Sequence, residues 1–74
     1  MPSLVSAAID RVEYHDGSAT MLVVFRSGGA YLFHDVPRRV YERIVLSPAP
    51  GRTFHRLVAD RYQSTPYDEP LEAA

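Results

Sequence analysis

Residues 28–41, with the sequence Gly-Gly-Ala-Tyr-Leu-Phe-His-Asp-Val-Pro-Arg-Arg-Val-Tyr, contain the turn, the strand and the helix start that decide the fold. The glycines favour a turn, and the aromatic residues that follow them favour a strand. Asp35 is predicted to cap the helix, and Pro37 fits the first helical turn because the N–H that it lacks would have no partner there. The sequence before this stretch is therefore predicted to supply partner strands, and the sequence after it to supply covering helices.

Two further strands are predicted before this stretch, at 7–14 and 20–26, with the third at 30–34. The turn-forming sequence His-Asp-Gly-Ser-Ala separates the first two. The segment 20–26, Thr-Met-Leu-Val-Val-Phe-Arg, is apolar on both faces and gives the strongest strand pattern. The three strands are predicted to form an antiparallel meander.

The loop between the second and third strands sets their register. A three-residue loop at 27–29 is predicted, which pairs Phe25 with Tyr31 and aligns aromatic side chains on one face. A two-residue loop would instead place Tyr31 and Phe33 beside Leu22 and Val24, because a slip of one residue turns every side chain to the other face.

Two helices are predicted after the strands. The first runs to about residue 46, and Ser-Pro-Ala-Pro-Gly at 47–51 breaks it. The second spans 52–63, with apolar side chains on one stripe and an Arg56–Asp60 pair one turn apart on the outer face. The predicted fold is α+β, three antiparallel strands followed by two helices packed on one face.

Size and composition restrict the functions that such a chain can have. Its 74 residues suffice for one small domain, predicted at 1–63, and residues 64–74 are predicted to be an unstructured acidic tail. There is no Cys, which excludes disulfides and cysteine-ligated zinc. We expect a soluble cytoplasmic protein, because the sequence contains neither a signal peptide nor an apolar run long enough to span a bilayer.

The predicted sheet leaves apolar side chains on the face without helices. They are Leu22, Val24 and Leu32. A homodimer through this face would bury them and add stability that a small core lacks. The alternative is that the N-terminus or the tail, through Tyr67 and Leu71, folds over them.

The sequence at 21–41, followed by Pro-Gly-Arg-Thr-Phe-His at 50–55 and Arg-Tyr at 61–62, resembles the KTSC domain family. The resemblance covers roughly residues 5–62. The tyrosine-x-tyrosine motif of the family appears here as Tyr31-Leu32-Phe33, with phenylalanine at its second position, and His55 stands where the family has asparagine. The family takes its name from a C-terminal extension of some lysyl-tRNA synthetases and includes free-standing bacterial proteins. The resemblance implies a stand-alone member, for which that association suggests RNA or tRNA binding.

The basic residues of the predicted helices are the candidate nucleic-acid site. Residues 38–61 contain six arginines and two carboxylates, a net charge of +4 in a chain whose total is −1. These arginines could contact phosphates without reading sequence. The alternative is an ordinary solvated face balanced by Glu42 and Asp60. The candidate residues are Arg38, Arg39, Arg43, Arg52, His55 and Arg56.

Other kinds of site have weaker sequence support. Tyr31 and Phe33 could stack on bases, although burial under the helices is the preferred interpretation in so small a domain. The three histidines lie on separate elements without metal-ligand spacing, and no catalytic motif is present. No metal, cofactor, small-molecule substrate or membrane partner is therefore predicted. Two hypotheses follow: a non-enzymatic module that binds RNA weakly, or a protein–protein interaction or self-association module with no nucleic-acid role.

Overall fold

The computed structural model describes residues 8–67, which form a four-stranded antiparallel sheet and two helices. The strands lie side by side in sequence order, and the helices lie between the third and fourth strands along the chain. The elements are β1 (Ile9–His15), β2 (Thr20–Phe25), β3 (Ala30–Phe33), α1 (Arg38–Val45), α2 (Pro50–Leu57) and β4 (Ser64–Pro66). The predicted α+β fold of three strands followed by two helices is confirmed, and β4 is an additional short strand.

Strand β4 lies at the start of the segment for which the sequence predicts a tail. It pairs with β3, so that Leu32 lies opposite Thr65 and Tyr31 lies opposite Pro66. An edge strand tolerates Pro66, because its outer side needs no backbone donor. The remainder of the predicted tail, 68–74, lies outside the described residues.

The hairpin between β2 and β3 has a three-residue loop, as predicted, but at 26–28. The Phe25 N–H donates to the Gly29 carbonyl at 2.8 Å, and Gly28 has a positive φ of 110°. Val23 therefore pairs with Tyr31, and the predicted pairing of Phe25 with Tyr31 is wrong. The cause is that Gly28, rather than Gly29, takes the left-handed position of the loop. The strand pairing is therefore shifted by two residues relative to the predicted pairing. A shift by an even number of residues leaves each side chain on its predicted face.

The core lies between the sheet and the helices. Phe54 of α2 packs edge-on against Phe25 and Phe33, with ring centroids 5.7 and 5.4 Å away. Tyr31, predicted to lie under the helices, is 40% exposed and contacts Phe25 through its ring edge. The buried core residues are Ile9, Val12, Met21, Val23, Phe33, Val36, Val40, Ile44, Phe54 and Val58.

Both helices differ from their predicted ends. Pro37 is the N-cap of α1 without a side-chain hydrogen bond, and Asp35 has a left-handed φ of 58°, so the predicted Asp35 cap is wrong. Helix α2 ends at Leu57, six residues earlier than predicted, and Asp60 is also left-handed. Within residues 8–67 no ion pair joins Arg56 to Asp60, because Asp60 lies beyond the helix.

The early end of α2 explains why β4 can form. The left-handed Asp60 turns the chain back toward the sheet, and the Gln63 carbonyl accepts a hydrogen bond from the His34 N–H at 2.9 Å. This contact brings the following residues alongside β3. If α2 continued to residue 63, residues 64–66 would not lie alongside β3, and β3 would lack β4 as a partner strand.

Candidate anion-binding clefts between the helices

The connection between α1 and α2 is held by two hydroxyl side chains. Ser47 Oγ and Thr53 Oγ1 share a hydrogen bond of 2.7 Å, and the Ala49 N–H donates to Ser47 Oγ at 3.0 Å. Thr53 is buried and Ser47 is half-buried, so this bond is only partly exposed to water. The hydroxyl pair thus fixes how the start of α2 meets the end of α1.

Beside this connection lies a cleft of about 540 Å³, called here the hydroxyl cleft. Arg39 and Arg43, one turn apart on α1, contribute to one wall, and Arg56 of α2 contributes to the other. Leu46 stands at its edge and is 80% exposed. The lining residues are Arg39, Glu42, Arg43, Leu46, Ser47, Thr53 and Arg56.

A second cleft of about 420 Å³, called here the tyrosine cleft, lies next to the first. Arg39 and Arg43 line both clefts and therefore stand between them. The Arg61 side chain is anchored nearby, since its Nε donates to the Arg56 carbonyl at 3.1 Å. The lining residues are Arg39, Val40, Arg43, Leu57, Arg61 and Tyr62.

The arginines of the hydroxyl cleft are free of ion pairs in the part of the chain that the structure describes. Arg39, Arg43 and Arg56 are exposed, and no carboxylate of residues 8–67 lies within salt-bridge distance of them. The cleft includes one acid, Glu42, whose carboxylate is already bound by Arg38. The clefts therefore present several guanidinium groups to solvent without internal neutralisation.

Arg38 has a different environment from the other helical arginines. Its Nη1 donates to Asp16 at 2.7 Å, its Nε donates to Glu42 at 2.9 Å, and these two hydrogen bonds raise the pKa of the guanidinium. Its guanidinium carbon lies 5.9 Å from the ring centroids of Tyr14 and Tyr41, which stack on each other at 5.2 Å. Arg38 thus links the β1–β2 turn to α1, and it lines neither cleft.

The structure divides the six residues proposed from sequence. It brings Arg39, Arg43 and Arg56 together around one cleft. Arg52 and His55 are exposed on α2 but line neither cleft, although Arg52 lies one turn before Arg56.

Sequence reasoning did not assign several lining residues of these clefts to a site, among them Ser47, Thr53, Arg61 and Tyr62. The predicted helix to 63 placed Tyr62 on a buried stripe, whereas the chain turns at Asp60 and brings Tyr62 to the cleft. No local sequence signal marks the Ser47–Thr53 contact, because it depends on the angle between two helices.

The face of the sheet without helices carries the residues proposed for self-association. Leu22 and Leu32 lie directly opposite each other on β2 and β3. Leu22 is only 4% exposed in the single chain, whereas Val24 and Leu32 are half-buried. Much of this apolar surface is therefore already removed from solvent without a second copy.

The other side chains considered as sites from the sequence do not line the two clefts. Within residues 8–67 no group of three or more His, Cys, Asp or Glu side chains could hold a metal ion. His34 Nε2 lies 3.1 Å from Thr65 Oγ1, which accounts for its position. Of the aromatic pair considered for base stacking, Phe33 is buried in the core. Neither α1 nor α2 is long and apolar enough to cross a membrane.

These features define a class of protein: a small α+β domain with an antiparallel sheet, a helix pair on one face and arginine-lined clefts between the helices. Within that class, the chain belongs to the KTSC domain family, whose family model matches residues 5–62. The resemblance drawn from the sequence is confirmed.

The chain is also similar to two other proteins. A protein of Tsukamurella paurometabola is 25% identical over 64 residues, which cover 86% of this chain and 96% of that protein. The crystal structure of a KTSC domain protein from Yersinia pestis matches with a TM-score of 0.86 and 19% identity, over 90% of this chain and 94% of that chain. This structural match shows a shared fold.

Proposed function

We propose that this domain binds the phosphate backbone of RNA weakly, mainly through electrostatic contacts with the arginines of the two clefts. The observation that carries the proposal is the convergence of Arg39, Arg43 and Arg56 on one concave surface, without an ion pair within residues 8–67. A guanidinium group suits phosphate because its planar donors match two phosphate oxygens at once.

The charge distribution supports binding that is local rather than long-range. The net charge of the chain is −1, so the molecule as a whole does not attract a polyanion. Affinity would come from contacts within the clefts, and each contact would release counterions from the RNA. With three to four arginines engaged, the logarithm of the affinity should fall with the logarithm of salt concentration with a slope of about −2 to −3.

The test is fluorescence anisotropy with labelled bulk transfer RNA at low and physiological salt. The wild-type chain should bind saturably at low salt. The Arg43→Gln/Arg56→Gln variant should bind about tenfold or more weakly, because each lost phosphate contact removes part of the electrostatic affinity.

A matched control distinguishes the loss of cleft arginines from the loss of positive charge in general. The Arg11→Gln/Arg26→Gln variant removes the same charge outside the clefts, from arginines that bind Glu13 and Asp10. It should bind almost as well as the wild-type chain. Absence of wild-type binding at low salt would overturn the proposal, and so would equal losses in the two double variants.

Self-association through Leu22, Val24 and Leu32 is a second candidate function, which the adjacency of these side chains on one sheet face favours. The further apolar surface that a dimer could bury on this face is limited, because Leu22 is already buried. A stable interface usually buries more than about 1,200 Å² in total. The RNA proposal has stronger support, since the arginine clefts need no second copy to form.

A further inference from the structure

The two clefts lie side by side, and we infer that they bind neighbouring nucleotides of a single-stranded segment. A phosphate would lie in the hydroxyl cleft, and a base would lie against Tyr62 in the tyrosine cleft. This inference rests on the proposed function and specifies the form of nucleic acid that the clefts would accept.

The hydroxyl cleft has the chemistry of a phosphate site. Its arginines are unpaired within residues 8–67, and its wall includes Ser47 and Thr53. These two hydroxyls share one hydrogen bond, which uses one of their two protons. The other proton has no partner among the described residues and remains available to donate to an anion. Among the described residues no aromatic ring lines this cleft, so a base could stack there only on a guanidinium plane.

The tyrosine cleft has the chemistry of a base site. Tyr62 lines it together with the apolar side chains of Val40 and Leu57, and arginines surround this apolar surface. Aromatic rings and guanidinium planes are the surfaces on which unpaired bases stack. Its volume of about 420 Å³ lies within the range of pockets that hold small ligands.

The shared wall connects the two sites. Because Arg39 and Arg43 line both clefts, either guanidinium can contact the phosphate that joins a nucleotide in one cleft to a nucleotide in the other. A single flexible strand can place its phosphate and its base in separate clefts, since its bases are free to turn outward.

A duplex meets these clefts differently. Its bases are stacked inside the helix, so only its backbone could reach the arginines. The tyrosine cleft would therefore stay empty, and a duplex should bind less tightly than a single strand with the same number of phosphates.

The experiment compares three fluorescein-labelled probes of equal charge by anisotropy at low salt: an oligouridylate, a blunt-ended duplex without a loop and an abasic deoxyribose-phosphate oligomer. The oligouridylate should bind at least about fivefold more tightly than either of the others, because it alone offers unstacked bases. The Tyr62→Leu variant should lose this preference, and Tyr62→Phe should keep it because the ring remains.

The outcomes separate this inference from the proposed function. Equal affinity of the wild-type chain for all three probes would overturn the inference and leave phosphate binding by the arginines intact. Binding to none of them would overturn the proposed function itself. Tyr62 also packs against the core. If Tyr62→Leu fails to fold by circular dichroism, the comparison of probes with the wild-type chain still decides.

Discussion

Arg38 donates a hydrogen bond from its Nε to Glu42 Oε2 at 2.9 Å, and this contact holds a carboxylate that lines the hydroxyl cleft. Glu42 lies three residues after Arg39 and one before Arg43 on α1. Residues three or four apart on a helix are close enough to form ion pairs, so Glu42 freed from Arg38 could pair with Arg39. Arg38 therefore favours a positively charged cleft although it does not line the cleft itself.

The first prediction concerns this indirect role. Arg38→Gln should weaken binding to transfer RNA by about twofold to fivefold. This is the effect expected if the freed Glu42 carboxylate forms one exposed ion pair with Arg39. Adding Glu42→Gln should restore the affinity, because no carboxylate remains to neutralise the cleft. Anisotropy titrations of the single and double variants measure both effects. A double variant that binds as weakly as Arg38→Gln would instead indicate that Arg38 contacts the RNA directly.

The second prediction concerns the hydrogen bond that ties β1 to the segment before α1. The Tyr14 hydroxyl donates to the Val36 carbonyl at 2.6 Å, and Val36 is fully buried. Tyr14→Phe should lower the free energy of unfolding by about 0.5–1.5 kcal/mol, measured by urea denaturation. Tyr41→Phe is the matched control, because the Tyr41 hydroxyl has no hydrogen-bond partner among the described residues. Equal losses in the two variants would contradict this account of Tyr14.

Five elements of the fold, β1 to β3 and the two helices, were predictable because they depend on local patterns, whereas β4 was not predicted. Runs of strand-forming residues bounded by turn residues marked the strands, and helical spacing marked α1 and α2. The errors arose where one residue adopts a conformation that composition does not reveal. Helix α2 ends at Leu57 and a left-handed Asp60 follows it, and Gly28 rather than Gly29 takes the left-handed position that sets the hairpin register. Both choices depend on the fit of the chain to the finished sheet.

The candidate site was predictable only in part, for a related reason. Spacing on a single helix indicates that Arg39 and Arg43 share a surface, and this follows from the sequence alone. That Arg56 joins them, and that Arg38 is bound by Asp16, depends on how separate elements meet. The separation of Arg38 from the cleft arginines required the complete tertiary structure.

The third prediction tests the loop that sets the register. Gly28 has φ 110° with no atom within 4 Å of an added Cβ, so Gly28→Ala should cost about 1–3 kcal/mol through backbone strain alone. Gly17→Ala is the control, because Gly17 also has open space but no positive φ. That variant should be neutral or slightly stabilising. Thermal unfolding measures the difference, and equal melting temperatures for the two variants would contradict the assignment of the loop to 26–28.

The fourth prediction tests the self-association hypothesis. If the sheet face mediates a dimer, the wild-type chain should sediment as a dimer in high salt and Val24→Glu as a monomer, because an unpaired carboxylate in an apolar interface is costly. Leu46→Glu introduces the same charge at an exposed position between the helices and should leave the mass unchanged. A wild-type monomer, or an unchanged mass in Val24→Glu, would rule out this interface.

The fifth prediction concerns the acidic end of the sequence, where Asp68, Glu69 and Glu72 carry three negative charges and no basic residue. Carboxylates on the same chain are present at high effective concentration, so they should compete with RNA for the arginine clefts.

Truncation after Tyr67 tests this competition. The truncated chain keeps β4 and the hydrogen bond that the Tyr67 N–H donates to the Ala30 carbonyl at 2.9 Å. The truncated chain should bind transfer RNA several-fold more tightly at low salt, and the difference should shrink as salt screens the competing charges. Neutralising the three acids in the full chain, by Asp68→Asn, Glu69→Gln and Glu72→Gln together, should have the same effect if charge is the cause. Unchanged affinity in both proteins would remove the competition hypothesis. A gain confined to the truncated chain would point to steric obstruction by the residues after Tyr67.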